Sequence, residues 1–297
     1  MKVLLYGSNG WIGKKMLNEL NKQNIEVIIG KSRVDNIIKL EEEIKNISPT
    51  HIISTIGRTH GKYNDKVYST IDYLEQPGML VENIRDNLFS PTVLSLLSQK
   101  YNYHFTYLGT GCIFQFDDDH PFATEINGFN EDSLPNFFGS SYSIVKGFTD
   151  QLMHLFNNNV LNIRIRMPIT DEFNPRNFIT KITTYSKICS IPNSMTVLDE
   201  LIPIMIDMVT KNISGTYNFT NPGLISHNKI LEMYKDIVDP NFKWENFTIE
   251  EQNKILDSGR SNNFLNTDKL ISLYPNIKNI NDSVKDVLIR MAEKKNT

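Results

Sequence analysis

Short apolar runs alternate along the first half of the chain with longer stretches whose apolar positions recur every three or four residues. Val3-Leu-Leu-Tyr6 is a strand-sized run, and Ile12, Met16, Leu17 and Leu20 then share one face of a helix. Glu26-Val-Ile-Ile29, His51-Ile-Ile-Ser54, His104-Phe-Thr-Tyr-Leu108 and Leu161 to Met167 read as further strands, with helices over 36–47, 79–99 and 141–157. Strands separated by helix-length segments need crossover connections, and these almost always build right-handed βαβ units in a parallel sheet. The pattern predicts an α/β chain whose residues 1–167 form a Rossmann-type, doubly wound parallel sheet.

Beyond Pro168 the alternation lapses. Ile169 to Arg176 is polar, contains Pro175 and reads as a loop over the mouth of the sheet. Ser226 is placed to cap a helix running to Asp236, and a second helix is expected over 282–293. Gly215-Thr-Tyr-Asn-Phe-Thr220 reads as a strand between turn residues, and one strand of this half is expected to return to the sheet. A smaller C-terminal α/β subdomain over 168–297, mainly for substrate binding, is therefore expected beside the cofactor-binding domain.

Composition narrows the function. Hydrophobic residues make up 40%, charged residues 22%, and the formal charge is -3 over 297 residues. No basic excess points to nucleic acid or an anionic membrane as a partner. The apolar runs are strand-sized, so neither a membrane span nor a signal peptide is expected, and a cytoplasmic location follows as an expectation. Two cysteines, Cys112 and Cys189, are too few for a disulfide framework and are expected as free thiols. The six histidines lack metal-ligand spacing, and Asp117-Asp118-Asp119-His120 beside Pro121 reads as a solvated loop, so no metal is expected.

Gly7-Ser-Asn-Gly10-Trp-Ile-Gly13 lies between the first strand and the first helix, where glycines let the backbone approach a pyrophosphate and helix N–H groups face it. Gly7, Asn9, Gly10, Trp11, Ile12 and Gly13 are therefore candidate cofactor contacts. The three-residue spacing between the first two glycines resembles that of the short-chain dehydrogenase/reductase superfamily. Where an acidic residue would hold the ribose hydroxyl of NAD, this chain has Gly30-Lys31-Ser32-Arg33. Lys31, Ser32 and Arg33 suit a 2′-phosphate, which predicts NADPH.

Two chemical tools follow within a short stretch. Tyr142-x-x-x-Lys146 places a lysine one helical turn from a tyrosine, and such a cation can make the phenol a useful acid at neutral pH. Tyr142 and Lys146 would also contact the cofactor. Thr110, at the end of the fourth strand, would share the substrate carbonyl with Tyr142. Cys112 follows two residues later, and a thiol made acidic by nearby cations can take a proton from carbon next to a ketone. Cys189 has no such company and reads as packing.

Tyr107-Leu-Gly-Thr-Gly-Cys-Ile-Phe114 resembles the corresponding segment of GDP-fucose synthase. Nearly the whole chain is similar to the plant-type 3,5-epimerase/4-keto-reductases that complete UDP-L-rhamnose synthesis, which are extended short-chain dehydrogenase/reductases related also to dTDP-4-keto-rhamnose reductase. The supporting strings are Tyr6-Gly-Ser-Asn-Gly-Trp-Ile-Gly13, Thr110-Gly-Cys-Ile-Phe114, Arg164-Ile-Arg-Met-Pro-Ile169, Asn174-Pro-Arg-Asn-Phe-Ile-Thr-Lys181, Ile191-Pro-Asn-Ser-Met195 and Tyr217-Asn-Phe-Thr-Asn-Pro-Gly223. The resemblance implies UDP-4-keto-6-deoxy-D-glucose as substrate and Cys112 with Lys181 as the epimerase acid/base pair. Arg260, in Ser258-Gly-Arg-Ser-Asn-Asn263, is the candidate diphosphate clamp, with Arg176 and Asn177 in the same cleft.

By analogy with related enzymes, the helices over 79–99 and 141–157 are expected to pair across a homodimer. The chain departs from the plant pattern after Ile56, where Arg58 to Tyr68 is longer and more polar. Two other functions stay open: a plain 4-keto reductase in which Cys112 only packs, and a non-catalytic nucleotide-binding regulatory subunit. A 4,6-dehydratase is disfavoured, because Gly111-Cys112 stands where such enzymes carry an Asp-Glu pair.

Overall fold

The computed structural model describes residues 1–295. The chain runs β1 (Lys2–Tyr6), α1 (Trp11–Lys22), β2 (Glu26–Ile29), α2 (Ile37–Ile47), β3 (His51–Ser54) and a short hairpin, β4 (Gly61–Tyr63) and β5 (Lys66–Tyr68). It continues through α3 (Leu80–Ile84), a π-helical turn (Arg85–Phe89), α4 (Ser90–Tyr101), β6 (His104–Thr110), α5 (Ser141–Met153) and β7 (Val160–Ile165). The remainder is α6 (Phe178–Thr184), β8 (Lys187–Ile188), α7 (Leu198–Thr210), β9 (Gly215–Asn218), α8 (His227–Ile237), β10 (Glu245–Asn246), α9 (Ile249–Asn253), α10 (Asp268–Leu273) and α11 (Ile280–Lys295).

Six strands form one sheet in the order β2-β1-β3-β6-β7-β9. β1 pairs in parallel with β2 (Val3 opposite Val27) and with β3 (Leu4 opposite Ile52), and β3 pairs in parallel with β6 (Ile53 opposite Thr106). The sheet grows outward from β1 to β2, then resumes on the other side of β1 with β3. Such a reversal opens a crevice at the carboxyl ends of the two strands, where open α/β sheets bind ligands. Val3, Leu4 and Leu5 are fully buried, as a strand covered by helices on both faces requires.

The helices earn their places from both ends and faces. In α1, Met16 and Leu20 are buried. In α2, Asn36 accepts from the Lys39 N–H as N-cap, while Leu40 and Ile44 turn inward. Leu40 and Ile44 join Ile52, Phe105, Val93, Leu94 and Met153 in a core beside the sheet. The helix expected over 79–99 is one long element whose ladder is loosened by the π-helical turn.

Contacts divide the chain into two compact units. The first holds Met1–Ile113, Phe138–Arg164 and Ile202–Tyr217; the second holds Phe114–Phe137, Ile165–Leu201 and the described residues from Asn218 onward. The single division at 167/168 read from the sequence is thus interleaved. Phe114 to Phe137 leaves the sheet unit after β6, and the end of α7 with β9 returns to it. The second unit has its own core, including Ile169, Ile182, Met195, Leu231, Val284 and Leu288. Ser226 caps α8 through the Lys229 N–H, as its position predicts.

Candidate active site

The glycine turn is built for close backbone approach. Gly7 has φ +80, and a Cβ there would sit 2.6 Å from Thr55 Oγ1; at Gly13 a Cβ would lie 2.1 Å from the Gly7 carbonyl oxygen. The Gly10 N–H donates to the Gly7 carbonyl at 3.0 Å, closing the turn into α1. Gly10 offers no side-chain cap and the first helical turn carries no acid, so the helix's own first turn does not offset the positive end of its dipole. Asn9, Trp11 and Ile12 belong to the same turn and first helical residues, so the whole predicted fingerprint is one structural feature.

The 30–33 segment differs from expectation. A carboxylate does stand at the end of β2, supplied by α2: Glu43 accepts from the Lys31 and Ser32 N–H groups at 2.7 and 3.0 Å and from the Tyr6 hydroxyl at 2.8 Å. Burial opposes its charge, yet these donors hold its carboxyl below the usual range. The backbones of Lys31 and Ser32 are therefore fixed by Glu43. Arg33 is largely exposed and forks onto Asp35, with Nε and Nη contacts of 3.0 and 2.8 Å.

The polar segment after Ile56 resolves into structure that sequence reading did not foresee. Asn87, in the π-helical turn, grips the Arg58 backbone from both sides, accepting from its N–H at 3.0 Å and donating to its carbonyl at 2.9 Å. The Arg58 guanidinium meets Asp86 at 2.9 Å and Glu82 at 3.4 Å, and Arg85 meets Asp86 at 2.7 Å. Beyond Arg58, Gly61 to Tyr68 forms the β4–β5 hairpin. The signal was present as a polar insertion, but its partners come from residues 82–87.

The chemical groups gather around the end of β6. Thr110 Oγ1 accepts from the Cys112 N–H at 3.1 Å and is hydrogen-bonded to the Tyr142 phenol. Ser140 caps α5 through the Ser143 N–H, and the Ser143 hydroxyl donates to the Cys112 carbonyl at 2.7 Å. The cysteine backbone is thus pinned at both ends, beside the first turn of the helix that carries Tyr142. Burial pushes the Tyr142 phenol well above its ordinary value, the adjacent Cys112 sulfur adds to the rise, and the Thr110 hydrogen bond opposes it.

Lys146 follows one helical turn after Tyr142 and is 4% exposed. Its ammonium donates to the Tyr107 hydroxyl at 2.5 Å and to the Leu108 carbonyl at 3.2 Å, not directly to Tyr142. Burial pulls it down to about 7, against the opposing pull of Asp150 and Cys112. Asp150, one further turn along, would be raised by burial, but the buried Arg164 guanidinium holds it at about 2 through contacts of 2.9 and 2.6 Å.

The second unit carries a cationic group of its own. Burial, and then the neighbouring Arg176 and Arg260 guanidinium groups, lower Lys181 to about 8. Burial likewise lowers Arg176. Arg260 donates to the Ser258 carbonyl at 2.9 Å and lines a cavity of about 250 Å³ with Phe116, Phe122, Phe137, Gln252 and Asn253. Arg166, fully buried, holds this loop by donating to the Asn263 and Ser261 carbonyls at 3.1 and 2.9 Å.

Asn177 is engaged by the backbone around it. Its carbonyl oxygen accepts from the Thr170 and Ile179 N–H groups, and its amide donates to the Thr170 and Glu172 carbonyls at 2.8 Å each. Fully buried and engaged on every side, it caps α6 and ties down the preceding loop. Cys189 is buried and its thiol is raised by that burial, in line with packing. No helix among the described residues is long and apolar enough to cross a membrane.

No family model matches the chain. It is 56% identical to the L780 UDP-rhamnose synthase of Acanthamoeba polyphaga mimivirus, whose crystal structure superposes with a TM-score of 0.94 over 98% of this chain and 99% of that one. It is 42% identical to the bifunctional dTDP-4-dehydrorhamnose 3,5-epimerase/dTDP-4-dehydrorhamnose reductase of Arabidopsis thaliana, over 95% of this chain and 90% of that protein. A trifunctional UDP-glucose 4,6-dehydratase/UDP-4-keto-6-deoxy-D-glucose 3,5-epimerase/UDP-4-keto-L-rhamnose-reductase of the same plant is 43% identical over 96% of this chain, which spans 41% of it. The chain belongs to the family of rhamnose-forming 3,5-epimerase/4-keto-reductases.

Proposed function

We propose that this protein converts UDP-4-keto-6-deoxy-D-glucose to UDP-L-rhamnose by inverting C3 and C5 and then reducing the C4 ketone with NADPH. The observation that carries the reading is the pinned arrangement of Thr110, Cys112 and Tyr142 around the end of one strand. A 4-keto group acidifies hydrogens on both neighbouring carbons, so each centre can invert through an enolate. Thr110 and Tyr142 donate hydrogen bonds to the oxygen as negative charge builds there. The Cys112 sulfur takes the carbon-bound proton, and Lys181, lowered to about 8, exchanges a proton near neutral pH.

When bound, NADPH supplies the hydride to C4. Tyr142 delivers the balancing proton to the C4 oxygen, and the Lys146 charge stabilises the phenolate that remains. The turn from Gly7 to Gly13 fits a pyrophosphate, because a Cβ at Gly7 or Gly13 would collide with Thr55 or with the turn's own backbone and force apart the tight approach of loop and helix that presents N–H groups to phosphate. Arg33, exposed and paired only through flexible side chains with Asp35, suits a 2′-phosphate that takes over from that carboxylate. Arg176 and Arg260 suit the substrate diphosphate, and the cavity beside Arg260 suits the nucleoside.

A homodimer completes the reading. Leu80, Val81, Ile84 and Leu96 on α3 and α4, and Phe148 on α5, are large apolar side chains left exposed on the helices expected to pair. The decisive experiment incubates the protein with NADPH and UDP-4-keto-6-deoxy-D-glucose in deuterated water and determines product stereochemistry. The L-rhamno product with deuterium at C3 and C5 is expected. Cys112→Ala should abolish that incorporation; reduction without inversion in the wild type would reduce the protein to a plain 4-keto reductase, and no NADPH consumption would point to a regulatory subunit.

A further inference from the structure

Tyr107 lies on β6, three residues before Thr110, and is 1% exposed. Nothing about a strand packed beneath helices demands a hydroxyl here, since phenylalanine would fill the same volume. Its oxygen meets the Lys146 ammonium at 2.5 Å, whereas the ammonium is 4.5 Å from the ring centroid. The cation therefore sits at the hydroxyl end of the ring and not over its face. Contact through oxygen, rather than through the π cloud, is what holds the lysine.

We propose that Tyr107 is a positioning residue for the reduction: its phenol oxygen fixes the Lys146 ammonium in place and favours its charged form. The proposal rests on the reading that Lys146 supports Tyr142 as proton donor. An ammonium has three N–H donors. Tyr107 and the Leu108 carbonyl accept two of them, which leaves the third direction for whatever lies at the mouth of the site. Removing the Tyr107 oxygen would strand a donor in a buried place, and an amine in that position sheds its proton more readily.

The surroundings make this contact matter. From β6 the lysine faces Tyr107, from the segment after β6 it faces Cys112, and along its own helix lie Tyr142 and Asp150. Asp150 is already committed to Arg164 of β7. The helices packed against α5 reach it through the Asn83 amide to Ser141, the Asn87 carbonyl to Thr149 and one charged group, the Glu75 carboxylate, which accepts from the Ser141 N–H at 2.8 Å at the start of α5. Burial drags the lysine down to about 7 while Asp150 and Cys112 pull the other way, so a hydrogen bond to the ammonium can tip its charge at neutral pH. The Tyr107 phenol is itself held neutral, by burial first and then by Tyr142 and Asp150, and so stays an acceptor that keeps its own proton.

The test is the pH profile of 4-keto reduction in Tyr107→Phe, measured with NADPH and the keto sugar nucleotide at saturation. A charged hydrogen bond lost from the ammonium should move the high-pH fall in kcat to lower pH by about one pH unit. A pH midpoint does not depend on how much of the sample is folded. If the phenylalanine variant proves too unstable, site-specific replacement of Tyr107 by 3,5-difluorotyrosine keeps the shape, weakens the acceptor and should move the same limb in the same direction by less. A profile that overlays the wild type at any amplitude, in whichever variant folds, overturns the proposal. Lys146→Met separates the two readings: if it retains wild-type reduction the role given to Lys146 is wrong, and if it is inactive while the Tyr107 variants titrate normally only the role of Tyr107 is wrong.

Discussion

Removing the lysine on which reduction depends should make the protein more stable. Burial takes the Lys146 ammonium from 10.5 to about 7, which corresponds to about 5 kcal/mol at about 1.4 kcal/mol per pH unit. Because the folded value lies below the unfolded one, the unfolded chain holds the extra proton between about 7 and 10.5. Stability therefore rises with pH across that window, and the burden of this residue is greatest at and below pH 7. Lys146→Met removes the burden and fills the channel with an apolar side chain of similar length. It also leaves the Tyr107 hydroxyl and Leu108 carbonyl without their donor, a cost of about 1–3 kcal/mol. The balance is a gain of about 2–4 kcal/mol at pH 7 in NADPH-free protein, read from denaturant unfolding with unchanged m-value. Other titrating groups, Lys181 among them, are common to both proteins, so the difference in their stability–pH slopes isolates Lys146. Reduction should meanwhile fall by a factor on the order of 100 to 10,000. A variant less stable than wild type at pH 7, or one with the same slope between about pH 7 and 10, would show that the lysine is not a buried, strained charge.

Arg33→Ala should raise the KM for NADPH roughly tenfold or more, while that for NADH stays put, because only the 2′-phosphate can exploit the guanidinium fork; equal effects on both cofactors in steady-state kinetics would contradict this. Arg176→Ala takes a cation away from Lys181, whose protonated form then becomes easier to keep. The pH dependence of deuterium incorporation at C3 and C5 should accordingly move upward, and a downward or null displacement would count against the cluster. Asn177→Ala should cost about 2 kcal/mol or more in thermal or denaturant unfolding by uncapping α6 and stranding two buried carbonyls. UDP affinity by calorimetry should change by less than about twofold, whereas a large loss would restore Asn177 to the substrate site.

What the sequence revealed was whatever is written locally. Strand runs such as Val3 to Tyr6, the Ser226 cap and the Gly7–Gly13 turn each depend on neighbours within a few residues, and each appears in the structure. Thr110, Cys112 and Tyr142 were legible for a related reason, since a strand end and a helix start are the two places where a parallel sheet exposes side chains to its crevice. The charged groups were not, because their meaning comes from partners far along the chain. Glu43 reaches the end of β2 from the next helix, so the carboxylate that Gly30 to Arg33 lacks is provided from twelve residues beyond Lys31. Asn87 and Asp86 give Arg58 its role from nearly thirty residues away.

Asn177 shows the converse case. It lies in a string shared with the family, Asn174 to Lys181, and from that string alone a substrate contact and a helix cap look alike. The amide has two faces, and its four hydrogen bonds to the backbone use both, so geometry decides where motif could not. Tyr107 sits on the same boundary. As part of an apolar strand it reads as core, and its ring is core; only the 2.5 Å approach of Lys146 distinguishes a packed phenol from one that holds a charge. A buried cation in this fold must be stabilised by oxygen atoms placed around it before the reaction begins, and on β6 that placement puts one such atom at a position where a hydrophobic pattern asks only for bulk.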